Sequence, residues 1–188
     1  MPSPVIIILA AGRGERFLAS GATTHKLDTL LNGQPVIWHV IQAVKASGLD
    51  WHLVRPEGGT GGMGESISLG IKATSHAAGW LILPADLPLI RPDSLWRVAE
   101  GLKQKPIVVP QYRQRRGHPV AFARAYLPLL LTLAGDHGAK EIVRDSLRRE
   151  NVMALSLDDA GIVHDIDTLS DLHRAQRLLQ RGARRRPV

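Results

Sequence analysis

Five apolar residues, Val5-Ile6-Ile7-Ile8-Leu9, run without a break into Ala10-Ala11-Gly12-Arg13-Gly14-Glu15-Arg16. A run of this length, closed by glycine, reads as a buried strand. It holds the turn behind it in a fixed place. That turn is built of small residues and arginines, and Lys26 follows a short loop later. Successive main-chain N–H groups in such a turn form a concavity for anions, and small residues let the backbone come close. Arg13, Arg16 and Lys26 add three cations, so a polyphosphate is the expected guest. A tight strand-to-helix turn with no ligand is the other reading of the same residues.

Two familiar phosphate motifs are excluded. A dinucleotide fingerprint needs a third glycine where this chain has Phe17, and no G-x-x-x-x-G-K-[ST] occurs. The chain has 188 residues and no cysteine, which excludes disulfides and thiolate metal sites. Its apolar runs are strand-sized and broken by Gly and Pro, so no membrane span is expected. No signal peptide is recognised, and a cytoplasmic location is expected. The net charge of +7 is concentrated towards the C-terminus, in Arg177, Arg181, Arg184, Arg185 and Arg186. Two Phe and two Tyr supply few stacking platforms, so nucleic acid is not an expected partner. One domain over residues 1–182 and a basic disordered tail over 183–188 follow.

Apolar runs alternate with helical patterns, which predicts βαβ units and a mostly parallel sheet. Strands are expected at Val5–Leu9, Trp51–Arg55, Trp80–Pro84, Ile107–Pro110, Val120–Ala123, Val152–Leu157 and Val163–Ile166. Helices are expected at Pro35–Lys45, Glu65–Ala73, Pro92–Lys103, Tyr126–Leu133, Ala139–Arg149 and Ser170–Gln180. Gly58–Gly64 reads as a loop. In open α/β sheets ligands bind beyond the carboxyl ends of strands, which puts the Gly12–Arg16 turn and Asp86 on one edge.

Asp86 stands at a strand end between Pro84 and Pro88, a position suited to a hard divalent cation such as Mg²⁺, or to capping the next turn. Asp165 and Asp167 alternate about Ile166, which points both carboxylates one way and Ile166 inward. Capping by Thr168 or Ser170 with Asp171 explains the same segment and is compatible with Asp167 on a metal. Gly61-Gly62-Met63-Gly64-Glu65-Ser66 suits close backbone approach to a ring or a phosphate, or is a surface loop. Arg113-Gln114-Arg115-Arg116-Gly117-His118 suits a second anionic group. Gly135-Asp136-His137-Gly138-Ala139-Lys140 opens a helix.

Taken in order, Leu9–Gly12 with Gly14, Arg16 and Lys26, then Gly62–Ser66, Asp86–Pro88, Gly117–Phe122, Gly135–Lys140 and Asp165–Thr168 resemble the molybdenum cofactor cytidylyltransferase (MocA-type) branch of the MobA-like nucleotidyltransferases. The resemblance spans nearly the whole chain. It departs at Leu169-Ser170, where the family has Pro-Glu, and at Lys140, where it has Arg. The interval between Trp51–Arg55 and the GMG loop is also short; relatives have room there for another helix and strand.

The resemblance implies a Rossmann-like three-layer α/β/α sandwich of the nucleotide-diphospho-sugar transferase kind. It implies transfer of CMP from CTP to the phosphate of molybdopterin or molybdenum cofactor, with release of pyrophosphate. Arg16, Lys26 and Asp86 would be catalytic. Leu9, Ala10, Ala11, Gly12, Gly14, Lys26, Met63, Gly64 and Ser66 would bind nucleotide. His118 and Arg116 would bind acceptor, and Asp86 with Asp167, or Asp165 in its place, would hold Mg²⁺. A molybdoenzyme or maturation factor is the implied partner. A non-catalytic binder of molybdopterin or nucleotide, and a GTP- or sugar-phosphate-specific transferase, are the alternatives.

Overall fold

The computed structural model describes residues 3–184. Among them, β1 (Val5–Leu9), β4 (Asp50–Val54), β5 (Gly79–Pro84), β6 (Ile107–Tyr112), β7 (Arg115–Arg116), β8 (Val120–Ala123) and β9 (Val152–Ser156) form one sheet. Its order is β4-β1-β5-β8-β6, and β6 continues to both β7 and β9. β4, β1, β5, β6 and β9 share one direction, while β8 and β7 run against it. The sheet is mixed but mostly one-way. Alternation along its strands supplies two cores. Ile6, Ile8, Leu81, Leu83 and Val108 face one side; Ile7, Trp80, Ile82, Ile107 and Val109 face the other.

Helices cover both faces. α2 (Val36–Ala46), α4 (Pro92–Gly101) and α7 (Leu169–Arg184) pack on the first core; α3 (Met63–Ala73), α5 (Leu127–Leu131) and α6 (Lys140–Leu147) pack on the second. The α/β/α sandwich results. The small pieces β2 (Leu30–Leu31) and β3 (Gln34–Pro35) form a hairpin around Asn32-Gly33, both at positive φ, which suits a two-residue turn. A five-residue helix, α1 (Glu15–Ala19), follows the first turn.

Three parallel strands end level with one another: Leu9 pairs with both Val54 and Pro84. The turns after β1 and β5 therefore leave the sheet together. Two further bonds hold them there, from Ala10 N–H to the Val54 carbonyl (2.9 Å) and from Ala85 N–H to the Leu9 carbonyl (2.9 Å).

The segment Val163–Ile166 is not a strand. A 3-10 turn spans Ala160–Ile162, and the chain then runs on to α7 without regular structure. Val163 and Ile166 are buried, which is what the apolar pattern detects, but β9 has already paired with β6 and, among the described residues, no strand pairs with this segment. Met63 and Gly64, expected in a loop, open α3. The helix α7 continues through Arg184; residues 185–188 of the expected basic tail lie outside the described residues. No described helix is long and apolar enough to cross a membrane.

Candidate functional site

Beyond the carboxyl ends of β1, β4 and β5 lies a cleft of about 670 Å³. Leu9, Ala10, Ala11, Gly12, Gly14, Arg16, Lys26, Met63, Ser66, Asp86 and Asp167, all marked in the sequence, line it. Arg13, Thr60 and Asp136 line it as well. The β1 turn contributes main chain. Among the described residues, the N–H groups of residues 11 to 17 donate to no protein acceptor. Unpaired amides facing a cleft are costly unless water or a ligand completes them, and a row of them is an anion cradle.

Acidic and basic groups meet on the cleft floor. Lys26 Nζ lies 2.8 Å from Asp86 Oδ2 and 3.7 Å from Asp167 Oδ1, and both Lys26 and Asp86 are largely shielded from solvent. Arg16 Nη1 lies 3.7 Å from Asp167 Oδ2. One oxygen each from Asp86, Asp165 and Asp167 falls within 4.8 Å of the others. Asp165 carries its proton to higher pH than an ordinary carboxyl. Loss of surrounding water comes first, then its hydrogen bond to Asp167 and the charges of Asp167 and Asp86. Three hard oxygen donors gathered this tightly fit Mg²⁺ or Mn²⁺.

The strap that brings Asp165 and Asp167 here is held at both ends. Ile166 is 1% exposed, and its N–H donates to the Asp86 carbonyl at 2.9 Å. Thr168 and Asp171 cap α7 reciprocally: Asp171 Oδ2 accepts from the N–H groups of Asp167 and Thr168, and Thr168 Oγ1 accepts from Asp171 N–H. Capping and a cleft-facing Asp167 thus coexist. Upstream, Asp159 is 3% exposed and accepts from Arg91 N–H, Ser94 Oγ and Gly161 N–H at 2.7–3.0 Å. It ties the strap to the loop after Asp86.

Other marked residues stand apart from the cleft lining. Gly64 packs under the 134–138 loop, its N–H donating to the Gly135 carbonyl at 2.8 Å. This docking brings Asp136 into the cleft wall. His118 sits close enough to Asp86 to feel its charge. Burial holds its ring below the ordinary imidazole value, against the charge of Asp86 and with that of Lys140. Its Nδ1 is buried with no partner. Arg116 is exposed on β7. Ser66 does line the cleft, but its Oγ is already engaged, with Thr60 Oγ1 (2.6 Å) and the Gly62 carbonyl (3.1 Å).

Sequence reading missed three contributors. Asp159 and His25 carry no motif, because each links a neighbour two residues on to a partner distant in the chain. Asp136 was marked only as part of the turn Gly135–Lys140 that opens a helix, not as a cleft residue.

Residues 6–152 match the family described as MobA-like NTP transferase domain. Among solved structures, a nucleotidyl transferase from Methanothermobacter thermautotrophicus is similar at TM-score 0.80 and 21% identity, covering 96% of this chain and 99% of that one. Rv0371c from Mycobacterium tuberculosis H37Rv, in complex with manganese, is similar at TM-score 0.73 and 21% identity, covering 93% and 98%. Molybdopterin-guanine dinucleotide biosynthesis protein A from Archaeoglobus fulgidus is similar at TM-score 0.63 and 17% identity, covering 94% and 99%. At these identities the likeness is one of fold. A curated Escherichia coli (strain K12) protein, YagP, named for a LysR family substrate binding domain, is 77% identical over 26 residues, and this chain spans only 19% of its length.

Proposed function

The chain belongs to the MobA-like NTP transferase domain family, and from that premise we propose that it transfers CMP from CTP to the terminal phosphate of a molybdopterin-type acceptor. A phosphate oxygen of the acceptor bonds to the α-phosphorus, the bond from that phosphorus to the β-bridging oxygen breaks, and pyrophosphate leaves. The acceptor phosphate is anionic near neutral pH, so no proton has to be removed from it. Catalysis then rests on alignment and on neutralising charge.

The observation that carries this reading is Lys26 held 2.8 Å from Asp86, at the foot of a wall of unpaired amides. The amides of residues 11 to 17, with Ala11, Gly12 and Gly14 providing room, receive the β- and γ-phosphates. Arg16 and Lys26 neutralise the triphosphate and the departing pyrophosphate. In the free protein Lys26 balances Asp86 and Asp167. With nucleotide present it is positioned to turn from carboxylate to phosphate.

Asp86 and Asp167, joined by Asp165, would hold a divalent cation. When bound, that ion supplies positive charge to the phosphates. Met63 and Ser66 border the base, and Gly64, expected beside them, instead seats the 134–138 loop that carries Asp136. His118 and Arg116, with Lys140, serve the acceptor side, where the Nδ1 of His118 has no partner among the described residues. A molybdoenzyme or a maturation factor would receive the product. The manganese of Rv0371c and the molybdopterin-guanine product in the Archaeoglobus protein's name support a metal-assisted transfer to this class of acceptor.

The test is pyrophosphate release from CTP and GTP with a molybdopterin acceptor, for wild type and Asp86→Ala. The variant is expected to keep its fold and lose turnover by about 10²-fold or more. Near-normal metal-dependent activity of Asp86→Ala would overturn the assignment. No release from the wild type with either nucleotide would make the chain a binder.

A further inference from the structure

We infer that His25 is a positioning residue that staples the phosphate-binding turn to the segment carrying Lys26. Its imidazole is used on both sides. Nε2 lies 2.8 Å from the Gly12 carbonyl, and Nδ1 lies 3.2 Å from the Leu27 main-chain nitrogen. The Leu27 N–H is a donor, so Nδ1 must accept. The ring proton then sits on Nε2 and donates to the Gly12 carbonyl. One neutral tautomer satisfies both contacts and the other satisfies neither.

Each end of the staple is anchored. Leu27 is 3% exposed, and its carbonyl accepts from the Ile37 N–H that opens α2. The His25 carbonyl accepts from Asp28 N–H, Thr29 N–H and Thr29 Oγ1. Lys26 lies between these two held residues, with its side chain directed to Asp86. At the other end, Gly14 adopts φ +66, and a Cβ there would lie 3.4 Å from His25 Nε2 and 3.6 Å from Lys26 Cγ. The turn therefore rests on the imidazole and on the stem of Lys26.

The consequence is directional. The Gly12–Arg13 peptide is trans, and a trans peptide points its C=O and the following N–H in opposite directions. Drawing the Gly12 carbonyl onto His25 turns the Arg13 N–H away from it. That N–H has no protein acceptor and belongs to a residue lining the cleft. His25 thus presets an amide of the anion cradle and the ammonium of Lys26 relative to one another, before any ligand arrives. Preorganised donors of this kind cost no reorganisation on binding. The staple's part in nucleotide binding rests on the proposed transfer reaction; the staple itself does not.

Two measurements separate these. The ¹⁵N spectrum of the His25 ring near pH 7.5 reads the tautomer without any ligand. The Nε2–H form is expected, and an Nδ1–H ring overturns the staple. Affinity for pyrophosphate with Mn²⁺, by calorimetry, then reads its purpose. His25→Leu removes both contacts and is expected to weaken binding by about tenfold, from the loss of two modest hydrogen bonds. His25→Gln, whose Nε2 can still donate to Gly12, is expected to recover most of that loss. His25→Asn, whose amide oxygen can reach only Leu27 N–H, is expected to recover less. Equal affinity in all four proteins overturns the positioning role. If the wild type shows the expected tautomer yet binds neither pyrophosphate nor CTP, the positioning role falls with the transfer reaction, and the staple stands as a structural contact.

Discussion

At Asp165 two demands compete. Three carboxylates converge at the edge of the cleft, Asp165 just outside its lining, and Lys26 lies within ion-pair distance of Asp86 and Asp167 but not of Asp165. Without a cation, loss of surrounding water first, and then Asp167 and Asp86, hold a proton on Asp165 to higher pH than on an ordinary carboxyl. The folded-state value of Asp165 is raised, so the folded protein holds more protons than the unfolded chain above the ordinary carboxyl value. The associated stability is present at low pH and is lost as pH rises through the raised value. In EDTA, Asp165→Asn should therefore melt higher than wild type on the alkaline side of that window, and the gap should close as the pH approaches 4. Its affinity for Mn²⁺ should fall, because a carboxylate donor is gone. Wild-type affinity should rise with pH, because the ion must displace the proton. A melting series against pH, with a parallel Mn²⁺ titration, checks all three. The cluster was partly legible in the sequence. Alternation about Ile166 placed Asp165 and Asp167 on one side, and the residues around Asp86 marked a strand end. Asp159 and His25 were not legible, since each joins a partner two residues on to one 65–68 or 13 residues away, and neither sits in a repeating pattern.

Among the elements, two glycines at the cleft serve different masters. Gly64, in the first turn of α3, faces the backbone of the 134–138 loop. A Cβ there would meet the His137 carbonyl and come within 2.7 Å of the Ala134 carbonyl and 2.9 Å of its nitrogen. Backbone cannot swing aside, so Gly64→Ala should cost about 1–3 kcal/mol of stability, as overpacking does. It should also push Asp136 from the cleft wall. Gly12 is the opposite case. A Cβ there would meet nothing within 4 Å. The protein itself does not need glycine at this position; a ligand pressed against the turn would. Gly12→Ala should leave the melting temperature unchanged or slightly raised, since alanine narrows the unfolded ensemble, while nucleotide affinity drops by tenfold or more. Chemical denaturation beside nucleotide titration of both variants shows whether the effects separate. Helix positions were readable from period because each helix has one buried stripe, and the central strands from unbroken apolar runs because both their faces are covered. The segment at Val163–Ile166 was misread as a strand for the same reason. Its apolar residues are buried by α7 and the sheet face, and burial without a neighbouring ladder leaves the same trace in a sequence. The reversed direction of β8 was equally invisible, since pairing partners are set across the whole sheet.

At the scale of the whole molecule, the cleft is assembled from segments spread between Leu9 and Asp167, and each of them is rooted in a different part of the sandwich. A ligand bridging the β1 turn, α3 and the Asp165–Asp167 strap ties both helical layers to the sheet at once. Local loosening of any one element would release it, so binding should appear as stabilisation of the entire fold. At a nucleotide concentration about 100 times its Kd, the gain is about 2.7 kcal/mol. For a chain of this size each kcal/mol moves the melting temperature by about 2–4 °C. A shift of about 5–10 °C is therefore expected for CTP with Mg²⁺ or Mn²⁺, and EDTA should abolish most of it, because the three carboxylates then repel the triphosphate. The same panel run with GTP, ATP and UTP isolates the base from the phosphates. All four share the amide cradle, Arg16 and Lys26, so any common shift measures those contacts, and only the excess for one nucleotide measures the wall formed by Met63, Ser66 and Asp136. An excess for GTP would turn the reading to guanylyl transfer. Equal shifts for all four would mean that this wall reads no base, and the cytidylyl specificity carried by the family resemblance would have to be given up while the phosphate site stood.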